Sequence, residues 1–120
     1  RRRRWFVESL PRNILADTGP LFALFHAGDP DHARAVQFAG IYTGLLTTTW
    51  PVVTEVAYLL DRYAKRGVDR LLGMVLDGQL LVAVGERLGV LDVITLDRHD
   101  FSRYRTRNRK AFTNHFPDRV

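Results

Sequence analysis

The sequence predicts an α/β domain with a parallel sheet, because short apolar stretches alternate with segments of helical periodicity. Two of these stretches, 13–16 and 93–96, are each followed directly by an aspartate, Asp17 and Asp97. Strands that alternate with helices favour a parallel sheet covered by helices on both faces, which is a three-layer α/β/α sandwich. The carboxyl ends of parallel strands share one edge, and open sheets of this kind bind ligands there.

Each predicted element has a local reason. Gly28 ends the first helix, Pro30 lies in the first turn of the second, and Thr48 or Thr49 can cap the third, which has Pro51 in its first turn. Asp69 can cap the fourth helix. In chain order we predict strand 13–16, helix 20–25, helix 32–39, strand 45–49, helix 52–65, a helix from Asp69 to Leu76, strand 93–96 and a last short strand within 111–116.

Residues 79–90 admit two interpretations. The stretch 79–84 is β-like, but as a strand it leaves only 85–91 to reach the next strand, which is too short for a helical crossover and predicts a hairpin or an irregular link. A helix over 80–88 is the other interpretation, and it leaves the sheet one strand short. We favour the helix because it places four apolar residues on one stripe: Leu80, Leu81, Val84 and Leu88.

Composition limits the class of protein. A chain of 120 residues with 46% hydrophobic and 26% charged residues is typical of one soluble domain. It has no cysteine, which excludes disulfides, zinc–thiolate sites and thiol nucleophiles. The longest apolar run, 80–84, is too short to span a membrane. Residues 1–4 are arginines, but no apolar signal segment follows them, so we expect a cytoplasmic protein without a membrane partner.

The net charge of +5 is unevenly distributed. Residues 1–12 carry five arginines and one glutamate, and residues 98–120 carry seven basic and two acidic side chains. The middle, 13–97, carries six basic and ten acidic side chains. This distribution suits a nuclease, in which carboxylates hold a metal and basic residues hold the nucleic-acid polyanion. The basic ends could equally be solvated tails. We predict a basic arm over 1–11 and one domain over 12–120.

Three acids are the candidate site residues: Asp17, Glu55 and Asp97. Glu55 lies about one turn into the helix that follows strand 45–49, so all three are expected at one sheet edge. They repel one another unless a cation lies between them, and Mg²⁺ or Mn²⁺ prefers such oxygen ligands. Each acid also has a structural interpretation: Asp17 as a helix cap, Glu55 as the partner of an arginine, and Asp97 in a solvated turn. Glu55 lies among apolar residues, where an unpaired carboxylate would cost several kcal/mol to bury.

The chain resembles a PIN domain, and specifically the VapC-type toxin ribonucleases of bacterial toxin–antitoxin pairs. The resemblance covers residues 13–104 in the family's order. Five segments carry it: LADTGPL at 15–21, DPDH at 29–32, TTWPVVTEVAYLL at 48–60, ERLGV at 86–90 and ITLDRHDF at 94–101.

The resemblance implies a set of roles. Asp17, Glu55 and Asp97 would be catalytic and would bind Mg²⁺ or Mn²⁺, with Thr18 and Thr95 supporting the site. The implied activity is hydrolysis of RNA, with a cognate antitoxin as partner and a homodimer as the assembly. The RNA backbone would be held by basic residues that follow Asp97: Arg98, Arg103, Arg105, Arg107 and Arg109. Trp50 could stack on a base, although we expect it in the core.

The chain departs from the family's pattern in one place. The family usually has a further helix between the segments at 78–80 and 86–89, followed by a motif with another metal-binding aspartate. Here residues 81–84 join the two segments directly, so about one strand–helix unit is shortened or missing. A site short of one carboxylate holds its ion more weakly. We therefore expect an impaired ribonuclease. The alternatives are an inactive PIN-like protein that binds RNA or an antitoxin, and a decayed toxin without function.

Overall fold

The computed structural model describes residues 10–83, 92–96 and 113–117, and it confirms the α/β class. Parallel strands alternate with helices along the chain. The elements are β1 (Asn13–Ala16), α1 (Thr18–Phe25), α2 (His32–Ile41), β2 (Leu45–Thr49), α3 (Trp50–Tyr63), α4 (Arg66–Leu76), β3 (Leu80–Ala83), β4 (Asp92–Ile94) and β5 (Thr113–Asn114).

The strands form one sheet in the order β3-β2-β1-β4-β5, and every pairing is parallel. From β1 the chain moves outward in one direction to β2 and β3, whereas β4 and β5 lie on the other side of β1. The strand order therefore reverses between β1 and β4. In open parallel sheets, a crevice for ligands forms outside the carboxyl ends of the strands at such a switch point.

Four described helices pack together over the sheet. α1 contacts α2, α3 and α4, and α3 contacts β2 and β3. Right-handed crossovers from β1 to β2 and from β2 to β3 put all four helices on the same face. Their buried side chains include Leu21, Val56, Leu60 and Leu71, which cover Ile14 of the central strand. The connections that would form a layer on the opposite face, 84–91 and 97–112, lie outside the described residues.

β3 corrects the interpretation that we favoured for residues 80–88. Residues 80–83 form a strand parallel to β2, with Leu46 opposite Leu80 and Thr49 opposite Ala83. Leu80 is 1% exposed and Leu81 is 42% exposed, so neighbouring leucines alternate between the two faces, which is the period of a strand and not of a helix. The hairpin is also excluded, because β4 runs parallel to β3 and pairs with β1. The sheet does not lose a strand.

Helix starts also differ from the predictions. α1 begins at Thr18, α3 at Trp50 and α4 at Arg66, so Asp69 lies in the first turn of α4 and does not cap it. Thr49 occupies the capping position of α3, but its side chain makes no capping bond. Thr48 is a fully buried residue of β2, and its hydroxyl donates to the carbonyl of Ala16 at the end of β1 (2.8 Å).

Contacts of the domain extend to Pro11. The hydroxyl of Tyr42 donates to the carbonyl of Pro11 (2.8 Å), and the amide of Leu45 donates to the carbonyl of Arg12 (2.6 Å). The proposed arm, 1–11, lies almost wholly outside the described residues and stays a prediction. Where the structure describes helices, none combines the length and apolar character that a membrane crossing requires.

Candidate active site

Asp17 directly follows β1 at the carboxyl edge of the sheet. The register pairs Ala16 with Ile94, so the next residues of the two strands, Asp17 and Thr95, lie side by side. The amide of Asp17 donates to the carbonyl of Ile94 (3.1 Å), and Thr95 Oγ1 donates to Asp17 Oδ2 (2.8 Å). Thr95 is fully buried, and Asp17 is half-buried. Asp17 also occupies the capping position of α1, but its carboxylate makes no capping bond, so the structural interpretation of this residue as a helix cap is wrong.

Glu55 approaches the same corner of the molecule from α3. Thr18 Oγ1, in the first turn of α1, donates to Glu55 Oε1 (2.7 Å). Val53 and Val56 turn toward the core on either side of Glu55, which itself is exposed. The prediction that its carboxylate is buried among apolar residues is therefore wrong. No basic side chain within 10–83, 92–96 or 113–117 forms an ion pair with Glu55.

The two carboxylates are held in the same manner. Each accepts a hydrogen bond from one threonine hydroxyl through one oxygen: Asp17 from Thr95, and Glu55 from Thr18. Asp17 and Thr18 are neighbours in the chain, so the two hydrogen bonds involve adjacent residues. Asp17 Oδ1 and Glu55 Oε2 accept no hydrogen bond from any side chain or backbone group in the described ranges. Carboxylate oxygens with open lone pairs suit a hard divalent cation. Across the described parts of the chain, no group of three or more acids or histidines is close enough to hold a metal.

A glycine allows the close approach of α1 to the end of β4. A Cβ atom on Gly19 would lie 3.0 Å from Leu96 Cδ1 and 3.2 Å from Leu96 Cβ. The first turn of α1 therefore rests directly on Leu96, next to Thr95. This packing keeps Asp17 and Thr18 next to the end of β4, where Asp17 accepts from Thr95 and Thr18 donates to Glu55.

Several predicted site residues lie outside the described parts of the chain. They are Asp97 and the arginines proposed for nucleic-acid binding, Arg98, Arg103, Arg105, Arg107 and Arg109. Their roles stay predictions. Trp50 is described, and its expected place in the core is wrong: the side chain is 53% exposed at the start of α3, directly after the carboxyl end of β2.

Sequence reasoning missed Asn114. Its side chain bonds to the backbone of Thr95 through both the amide oxygen and the amide nitrogen. Asparagine is depleted in strands, and here it interrupts the β-like stretch 111–116, so its position was a signal that the strand ends at this residue.

A scan against protein-family models finds no match for the sequence. A search among curated proteins finds no match either. Among solved structures, the chain is similar to VapC20 of Mycobacterium tuberculosis, a toxin described as cleaving the sarcin–ricin loop, with 24% sequence identity and a TM-score of 0.54. The similarity covers 70% of this chain and 58% of VapC20, so the chain spans less than two thirds of that toxin's length. With its parallel sheet and helical layer, the chain has the fold of a VapC-type PIN domain.

Proposed function

We propose that the chain is a metal-dependent endoribonuclease of a toxin–antitoxin system, weakened by the loss of one acidic ligand. The observation that carries the proposal is the pair of carboxylates, Asp17 and Glu55, each anchored by a threonine hydroxyl at the switch point of the sheet. The fold shared with VapC20, a toxin that cleaves the sarcin–ricin loop, supports the same substrate class.

The side chains would divide the work. Asp17 and Glu55 would hold Mg²⁺ or Mn²⁺ through their open oxygens, with Asp97 as a third acid and with Thr18 and Thr95 orienting the first two. The bound ion would polarise the scissile phosphate and lower the pKa of a coordinated water. Arginines after Asp97 would neutralise RNA phosphates; they are Arg98, Arg103, Arg105, Arg107 and Arg109.

The proposal includes protein partners and a place of action. A VapC-type toxin would act in the cytoplasm as a homodimer and would be held inactive by a cognate antitoxin. Leu72 and Leu76 lie one turn apart on the exposed surface of α4. Large contiguous apolar patches mark surfaces that another chain covers, and these two leucines would belong to such a patch.

A cleavage assay tests the proposal directly. The purified chain is incubated with Mn²⁺ and an end-labelled structured RNA, and its cleavage is compared with that of Asp17→Asn and Asp77→Asn. Asp77 is an exposed aspartate between α4 and the amino end of β3, at the edge of the sheet opposite the proposed site, so its variant is the matched control. We expect slow cleavage by the wild type and the control, and none by Asp17→Asn. Equal cleavage by all three proteins would refute the assignment of Asp17.

A second candidate function is an inactive protein that binds RNA or an antitoxin. The observation that favours it is the connection between β3 and β4, which consists of residues 84–91 alone, whereas a crossover between parallel strands usually needs a dozen residues or more. The aspartate that the family carries in this region has no counterpart here. Saturable RNA binding without cleavage and without Asp17-dependent uptake of Mn²⁺ would favour this candidate over the enzyme.

A further inference from the structure

Asn114 continues the sheet beyond the point where backbone pairing between β4 and β5 stops. The last described pair of these strands is Val93 with Asn114. Beyond it, the amide of Thr95 donates to Asn114 Oδ1 (3.1 Å), and Asn114 Nδ2 donates to the carbonyl of Thr95 (3.2 Å). One side chain thus supplies the acceptor and the donor that a further residue of β5 would have supplied.

Asn114 is itself held in place by the segment that follows it. The amide of Phe116 donates to Asn114 Oδ1 (3.1 Å), which closes a short turn around the side chain. Phe116 and Pro117 are buried. The guanidinium of Arg34, on α2, lies 4.9 Å from the centre of the Phe116 ring and donates to the carbonyl of Pro117. The two hydrogen bonds between the Asn114 side chain and the Thr95 backbone are called the clamp below. The segment that carries this clamp is therefore anchored to the helical layer.

Thr95 connects this clamp to the candidate site. Its backbone is bonded on one side to Asn114, and its hydroxyl donates on the other side to Asp17 Oδ2 (2.8 Å). Thr95 lies just past the last described backbone pair of β4 and β5, Val93 with Asn114, so on the β5 side its backbone is held by the side chain of Asn114. The side-chain amide of Asn114 therefore contributes to the direction of the Thr95 hydroxyl.

We infer that Asn114 is a positioning residue for the metal-binding carboxylate. By fixing the backbone of Thr95, it aims the threonine hydroxyl at Asp17 Oδ2 and leaves Asp17 Oδ1 directed at a divalent cation. This inference rests on the proposed function, since it assigns a role toward the ion that Asp17 would hold. Partners that orient a ligand from behind typically change metal affinity by about 10–100-fold when they are mutated.

The test measures binding of Mn²⁺ alone by calorimetry, with the full chain and four variants. Asn114→Ser removes the amide that bridges to Thr95 but keeps an oxygen that can accept from the amide of Phe116. Thr95→Val removes the hydroxyl, the double variant combines both changes, and Asn13→Ser is the matched control at the exposed amino end of β1. We expect Asn114→Ser to weaken binding roughly tenfold. In the Thr95→Val background the same change should have an effect of less than about twofold, because both act through one hydroxyl.

A role that is only structural would give a different result. If Asn114→Ser binds Mn²⁺ as the wild type does, or weakens binding equally with and without the Thr95 hydroxyl, the inference fails. Hydrogen exchange of the Thr95 amide gives a second readout and should be faster in Asn114→Ser than in Asn13→Ser; equal rates also contradict the inference. Asp17→Asn, measured beside these four variants, separates the two claims. If it alone loses uptake, the inference fails and the proposed function stands, whereas absence of uptake by the wild type overturns both.

Discussion

Thr18 and Glu55 join the start of α1 to the second turn of α3 through a hydrogen bond of 2.7 Å between Oγ1 and Oε1. Glu55 is exposed, so this bond restricts a carboxylate that solvent would otherwise leave to rotate. Because Thr18 is also the neighbour of Asp17, one short stretch of backbone sets the positions of both acids.

Removal of this bond should weaken metal binding. In Thr18→Val the hydroxyl is lost while the size of the side chain is kept. We expect the affinity for Mn²⁺ to fall roughly tenfold. This loss corresponds to about 1.4 kcal/mol, which is the contribution of a modest hydrogen bond to a charged group. Thr18→Ser keeps the hydroxyl and should bind as the wild type does. Calorimetric titration measures both, and unchanged affinity in Thr18→Val would show that Glu55 does not need this partner.

Two glycines of α4 should respond in opposite directions to the same substitution. A Cβ atom at Gly67 would lie 2.8 Å from Leu60 Cδ2 and 2.9 Å from the carbonyl oxygen of Phe25, whereas one at Gly73 would meet nothing within 4 Å. Gly67→Ala should lower the free energy of unfolding by about 1–3 kcal/mol through overpacking. Gly73→Ala should raise it by roughly 0.5–1 kcal/mol through helix propensity.

Chemical denaturation followed by circular dichroism measures both glycine variants. Destabilisation by Gly73→Ala that equals that of Gly67→Ala would contradict the packing of α4 against α1 and α3.

Arg34 should stabilise the carboxyl-terminal segment of the domain. It pairs with Asp31, which is buried, and it donates to the carbonyl of Pro117. Arg34→Met leaves the carboxylate of Asp31 without this partner, and we expect a loss of about 3 kcal/mol in the free energy of unfolding. Arg70→Met, at an exposed position of α4, is the control and should change stability by less than about 0.5 kcal/mol. Similar losses in both variants would contradict a stabilising role of the Arg34 contacts with Asp31 and Pro117.

Trp50 should contribute to RNA binding and not to metal binding. Its side chain is exposed at the carboxyl edge of the sheet, and stacking of a base on an aromatic ring contributes about 1–3 kcal/mol. Trp50→Ala should therefore weaken binding of a single-stranded RNA at least roughly fivefold, with the affinity for Mn²⁺ unchanged. Tyr58→Ala, two turns further along α3 and also exposed, serves as the control. Fluorescence anisotropy measures RNA binding, and equal affinities of the two variants would exclude a specific role for Trp50.

Much of the sheet could be predicted from the sequence because its signals are local. Strand 45–49 is found with the predicted bounds, and the stretch 13–16 forms β1. The error at Leu80 and Leu81 has a physical cause: a short apolar run satisfies the spacing of a helix and of a strand alike, and only burial distinguishes them. Here the free edge of β2 provides the pairing partner, which is a tertiary contact that the run itself does not encode.

The candidate site could be predicted only in part, because its side-chain contacts join distant segments. Asp17 and Glu55 are recognisable from their places after a strand and within a helix, and the structure links them through Thr18. The clamp of Asn114 on Thr95 spans two strands whose register sequence alone does not set. The exposure of Glu55 was also mispredicted, because apolar neighbours in sequence do not bury a residue that lies outside the core-facing stripe of α3, which is Val53, Val56 and Leu60.

Metal binding by Asp17 and Glu55 is tested most directly by electron paramagnetic resonance, which measures the number and affinity of bound Mn²⁺ ions. The proteins compared are the wild type, Asp17→Asn, Glu55→Gln and the double variant. Asp61→Asn, on an exposed position of α3, is the matched control. We expect saturable binding by the wild type and the control, at least roughly tenfold weaker binding by each single variant, and none by the double variant. Wild-type affinity in both single variants would contradict the claim that these two carboxylates meet on one cation.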